Sequence, residues 1–188
     1  MTSWLQTFTG ARFYPSDPRP ADIHIEDIAH ALSYINRFGG HLPEPWTVAQ
    51  HALVMAEFAP PRLRLATQMH DSPEAYLGDV VKPLKQMLPE YQRLEGTVYR
   101  AIFDRFEIGE PHERICMDPI VELLDLRMLV TEAQQFIPHR IDSWDKQIGV
   151  EPLDVDLKAL RGESPESVKA KFLRRFARYT EHPPDVDL

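Results

Sequence analysis

Leu63-Arg64-Leu65-Ala66-Thr67-Gln68-Met69-His70-Asp71-Ser72-Pro73-Glu74-Ala75-Tyr76-Leu77-Gly78-Asp79 is the stretch whose reading decides the fold. Its first half is largely apolar, and a helical period through Leu63, Ala66 and His70 points the imidazole at a core. Its second half places Asp71 beside that imidazole, Glu74 three positions further on and Asp79 after the next glycine. Titratable groups at this density fit a metal or proton-transfer site. They also fit a core histidine satisfied by a carbonyl and an acidic cluster at a helix end. Ser72-Pro73 has the form of an N-cap followed by a first-turn proline, so Glu74 leads a new helical turn.

Working outward, the flanking segments are helical as well. Ile25, Ile28, Ala29, Leu32 and Ile35 recur at three and four, predicting a helix from Ile25 to Phe38 that Gly39-Gly40 stops. Arg37 falls in its last turn, where it can complement the helix C-terminus or bind a ligand, and His41 follows the glycines. Thr47 can cap a helix running to Ala59 with Val48, Ala52, Met55 and Ala59 on one stripe. His51 sits at the edge of that stripe, as a satisfied core residue or a ligand. After Asp79, prolines at 83 and 89 break the chain, and a further helix is predicted over residues 90–106. Asp118-Pro119 starts a long helix whose apolar stripe of Val121, Leu124 and Met128 also contains Asp125. A buried carboxylate there needs a metal or a cation such as Arg127 or Arg100. Residues 138–163 read as irregular, and Ser164-Pro165 starts a last helix carrying Val168, Phe172, Phe176 and Tyr179. No stretch alternates like a core strand. The expectation is an all-α fold: an irregular N-terminal arm (1–20) with a hairpin around Gly10, one helical domain (21–180) and a flexible tail (181–188).

At 188 residues the chain suits one domain with a sizeable core. A net charge of −8 without clustered lysines and arginines argues against general nucleic-acid binding, but not against a small anion. The single cysteine, Cys116, excludes an internal disulfide, and there is neither a signal-type leader nor an apolar run long enough to span a bilayer. These features predict a soluble, cytoplasmic protein with no membrane partner.

Three helices thus each place an anomalous polar residue on an inward face: His51, the His70-Asp71 pair and Asp125. Two imidazoles and two carboxylates form a mixed nitrogen and oxygen donor set suited to a divalent transition ion such as Mn, Co, Fe or Zn. In residue type, order and helical context this set resembles the HD-domain phosphohydrolases, across residues 23–135. Within that superfamily, four stretches look like the 5′-deoxynucleotidase branch and its phage-type relatives. They are residues 25–33, Asn36-Arg37-Phe38-Gly39-Gly40-His41, Val48-Ala49-Gln50-His51, and His70 to Ala75 with Gly78-Asp79.

The resemblance implies an irregular HD-type bundle with a central metal site. It implies His51, His70, Asp71 and Asp125 as ligands of one divalent transition ion per chain, and Glu74 as the acid/base group. It further implies Asp79 as a carboxylate orienting water or substrate, Arg37 as a phosphate-binding residue and a homo-oligomer. Phe38 stands where that branch often has a tryptophan. Lys82 and His41 complete the candidate substrate-binding set, and Lys85 or Arg93 could swing in from the broken segment. Two-metal relatives add histidines after the His-Asp pair, whereas here only His112 lies between Asp71 and Asp125. The expected function is metal-dependent phosphohydrolysis of nucleotides, releasing phosphate from 2′-deoxynucleoside 5′-monophosphates. A triphosphohydrolase releasing intact triphosphate is the alternative among enzymes. A non-catalytic, metal-stabilised binding module is the alternative outside them.

Overall fold

In the computed structural model, which describes residues 3–109, 117–137, 146 and 148–181, the chain is mostly helical. A two-stranded hairpin, β1 (Leu5–Gln6) with β2 (Arg12–Phe13), precedes α1 (Ile25–Tyr34), α2 (Val48–Phe58), α3 (Arg64–Met69) and α4 (Glu74–Leu77). Then come α5 (Lys82–Lys85), α6 (Pro89–Arg105), α7 (Pro119–Phe136) and α8 (Pro165–Glu181). Among the described residues, no helix is long and apolar enough to cross a membrane. The expected tail beyond Glu181, together with His112 and Cys116, lies outside the described residues.

Between Val48 and Ala56 the sequence has no Asp, Glu, Lys or Arg, and α2 is buried on every face over that span. Such a helix must sit inside the domain. It starts at a capping box: Thr47 Oγ1 accepts from Gln50 N at 3.2 Å, and Gln50 Oε1 accepts from Thr47 N at 3.0 Å. Losing that cap would cost about 1 kcal/mol. Around α2 the core divides in two. One cluster joins Val48, Ala49, Ala52 and Leu53 to α1, α6, α8 and Phe13 of the arm. The other joins Val54 and Met55 to Trp46, to α7 and to Leu153 and Leu157. The arm is stitched to α1, because the buried Asp27 carboxylate accepts from Thr9 N at 2.6 Å and Thr9 Oγ1 at 2.9 Å. Phe13 stacks on Tyr76 with centroids 3.9 Å apart, while Trp4 and Phe8 remain largely exposed.

The first helix is shorter than its periodicity predicts, ending at Tyr34 and not Phe38. Residues 35–37 turn extended and pair with the strand-like entry to α2. Arg37 N donates to Trp46 O at 2.9 Å, Val48 N donates to Ile35 O at 3.0 Å, and Asn36 bridges Thr47. These long-range bonds replace the last helical turn, and Phe38 follows at φ +57°, a left-handed value that only a well-supported non-glycine residue keeps. The irregular segment before α8 is tied to α7, with Leu153 N donating to Thr131 Oγ1 and Leu157 N donating to Gln135 Oε1, both at 2.8 Å.

Candidate functional site

His51, His70 and Asp125 arrive from α2, the end of α3 and α7, and each offers one donor atom within 4.8 Å of the others. Their side chains are brought together because α2 packs on both α3 and α7. Asp71, the next residue after His70, joins them: its Oδ2 lies 3.1 Å from His70 Nε2 and 3.8 Å from His51 Nε2. Asp125 Oδ1 lies 3.3 Å from His51 Nε2 and 4.0 Å from His70 Nε2.

The histidines are held from behind. His70 Nδ1 donates to Thr67 O at 2.7 Å, one turn back in its own helix. His51 Nδ1 donates to Glu132 Oε1 at 2.8 Å. With both Nδ1 atoms so engaged, the Nε2 lone pairs face each other and the carboxylates, and both Nε2 atoms are buried without a hydrogen-bond partner. Buried polar nitrogens are seldom left so, and a cation among two imidazoles and two carboxylates satisfies all four groups. The donor set fits a divalent transition ion. Arg127, the cation considered for Asp125, instead donates to Glu151 O and Pro152 O.

Glu132 is not among the residues that the helix stripes single out, yet it organises the cluster. It is fully buried and takes three donors on two oxygens: Trp46 Nε1 at 2.7 Å and His51 Nδ1 on Oε1, and Arg37 Nε at 3.0 Å on Oε2. Seven residues after Asp125, two turns on, it shares that residue's helix face, which is the signal that could have marked it. Burial works against its charge, but Arg37 and His51 hold the carboxyl below its ordinary value. Glu132→Gln would turn a donor toward one of three donors. It is expected to weaken metal binding about 10–100-fold and, by leaving Arg37 half-compensated, to cost about 3–5 kcal/mol. Metal titration and a denaturant melt of the variant check this, and an unchanged metal affinity would contradict it.

Arg37 thus sits over the cluster, with Nη1 3.4 Å from Asp71 Oδ2 and its guanidinium 5.9 Å from the Phe38 ring. Glu74 is buried at the start of α4, with Oε2 lacking a hydrogen-bond partner and Oε1 3.8 Å from Lys85 Nζ. Burial, with Asp71 and Asp79 nearby, pushes its carboxyl well up, so this group retains its proton more readily than an ordinary glutamate. Asp79 is raised as well, chiefly by burial. It follows Gly78, whose φ of +81° and ψ of 157° suit glycine alone and turn the chain sharply out of α4. Tyr91 Oη donates to Gly78 O at 3.0 Å and holds that turn.

The remaining candidates divide. Lys82 is exposed at the start of α5, and His41 is exposed too; no described contact links either to the cluster. Lys85 reaches Glu74 in Lys82's stead, and its ammonium is shared with Glu95 at 2.6 Å. The loop of Phe38 to His41 lies near Val81, since a Cβ on Gly39 would meet Val81 Cγ1 at 3.6 Å.

No family model matches the chain. Over 130 residues it is 40% identical to "Uncharacterized protein YfdR" of Escherichia coli K12, covering 69% of this chain and 70% of that one. Over 187 residues it is 33% identical to "Uncharacterized protein RCAP_rcc00048" of Rhodobacter capsulatus, covering 92% of this chain and 93% of that one. The chain therefore belongs to the family these two proteins represent.

Proposed function

We propose that this chain is a metal-dependent phosphohydrolase of the HD-domain type that releases phosphate from 2′-deoxynucleoside 5′-monophosphates. The observation that carries the reading is the pairing of two kinds of site. Two unpartnered Nε2 atoms converge with Asp71 and Asp125, and a buried Glu74 with an unpartnered carboxyl oxygen stands three residues after Asp71 without belonging to the His-Asp cluster. His51, His70, Asp71 and Asp125 would hold one divalent ion. When bound, such an ion lowers the pKa of a water and polarises a phosphoryl oxygen.

The chain's own groups account for the rest. Hydrolysis breaks the bond between phosphorus and the sugar 5′ oxygen; the water oxygen ends on phosphorus and a proton on the departing oxygen. Glu74 suits that proton transfer, because its environment favours the protonated form and Lys85 lies against its other oxygen. Asp79 is a carboxylate in reach of the same region, fit to orient water or a sugar hydroxyl. Arg37 presents a planar fork at the cluster's edge, fit for phosphate oxygens. A purely structural metal site would have no use for Glu74 and Asp79, which weighs against a non-catalytic module.

The supply of cations favours a monophosphate. Arg37 is shared with Glu132 and Asp71, and Lys85 with Glu95 and Glu74, so little positive charge remains for a triphosphate tail. Product identity tests this. Metal-loaded protein is incubated with a deoxynucleoside monophosphate and, separately, with the matching triphosphate, and inorganic phosphate is separated from intact triphosphate. Nucleoside plus inorganic phosphate from the monophosphate is the expected outcome. Intact triphosphate as the main product, with the monophosphate inert, would overturn the substrate choice, and no hydrolysis of either would overturn the enzymatic reading.

A further inference from the structure

A cleft of about 340 Å³ lies between α2 and α8, and none of the His-Asp cluster lines it. Its volume is within the range of small-molecule sites, about 300–1,000 Å³. From α2 it takes Gln50, Leu53, Val54 and Glu57. From α8 it takes Lys171, Arg174, Arg175 and Arg178. In a chain of net charge −8, this lining sets four cations against two carboxylates. Glu57 pairs with Arg175 and Glu163 with Lys171. Arg174 and Arg178 are left on the rim, and among the described residues no carboxylate pairs with either. They stand one helical turn apart, an arrangement that is mildly unfavourable until an anion bridges it. The buried Leu53, Val54, Val168 and Trp46 supply the apolar part of the lining.

We propose that this cleft is a second ligand site that takes a small organic phosphate, its apolar body against Leu53, Val54 and Val168 and its dianionic head between Arg174 and Arg178. Two guanidinium forks match a phosphate better than a carboxylate, because the dianion offers three oxygens and twice the charge. The cleft is also connected to the cluster. Trp46 donates to Glu132 Oε1, the same oxygen that receives His51 Nδ1, so the ligand rests against the side-chain chain that orients a candidate metal ligand.

The test is calorimetric titration of the full-length, metal-loaded chain with 1-naphthylmethylphosphonate and with 1-naphthylacetate. These share one ring system, differ in head charge and cannot be hydrolysed as phosphate esters. The chelator-stripped chain should bind the phosphonate once and about tenfold more tightly than the acetate, and the metal-loaded chain should keep that site beside whatever its cluster takes up. Combining Arg174→Ala with Arg178→Ala should weaken it about tenfold or more at an unchanged melting temperature, since both side chains are exposed. Asp71→Asn, or wild type stripped by a chelator, should bind it as before. Phosphonate binding to the chelator-stripped chain that survives loss of both arginines, or binding that vanishes altogether with the metal, would place the anion elsewhere and overturn the proposal. So would equal binding of the acetate, or no binding at millimolar probe. The readout is binding away from the cluster and stands apart from what the cluster hydrolyses.

Discussion

Asp71→Asn is expected to remove metal binding and phosphate release together while the chain stays folded. Asp71 Oδ2 approaches both unpartnered Nε2 atoms and also meets Arg37 Nη1, so its negative charge is central to the cluster. The amide has nearly the same shape but no charge and a weaker donor oxygen, and the backbone turn that leads into Glu74 does not use the side chain. Elemental analysis of purified wild type should find one divalent ion per chain, and the variant close to none. Stability gives a second readout. A ligand set drawn from α2, α3 and α7 ties them together, and metal at a hundredfold excess over Kd adds about 2.7 kcal/mol, about 5–10 °C in Tm for a domain this size. A chelator should therefore lower the wild-type Tm by that amount and leave the variant unmoved. Stoichiometric metal with full turnover in Asp71→Asn would remove this residue from the cluster.

Glu74→Gln should separate what Asp71→Asn removes together: metal retained, turnover lost by about 10²–10⁴-fold, the usual contribution of a general acid or base. The amide fills the same buried space and keeps a contact for Lys85, but it cannot pass a proton to a departing oxygen. Its neighbour Lys85 does not replace it, since that ammonium is held by Glu95. Elemental analysis and single-turnover phosphate release on one preparation decide the matter. A metal-free variant would make Glu74 a ligand, and unchanged turnover would end its acid/base role.

Local order was legible in the residues themselves. The three-and-four periodicity of Ile25 to Ile35, the Thr47 cap and the Asp118-Pro119 start each depend on neighbours within a turn or two, and helices begin where those signals stand. The helix α4 does start at Glu74, but Pro73 and not Ser72 is its N-cap residue, and Ser72 Oγ caps nothing. The candidate donors His51, His70 and Asp125 were visible for the same reason, because a polar residue on an apolar stripe is an anomaly within one helix. Tertiary structure alone decided the rest. Ile35 to Arg37 leave the helix because Trp46 and Val48 supply their backbone bonds, and Lys85 displaces Lys82 because the short α5 turn aims it at Glu74. Glu132 became visible only once α2 and α7 were packed, joining Arg37 and His51 across 95 and 81 positions of sequence. Periodicity reports which face of a helix is buried. What that face meets is set by contacts between distant segments, and it is there that a buried carboxylate acquires the donors that make it stable.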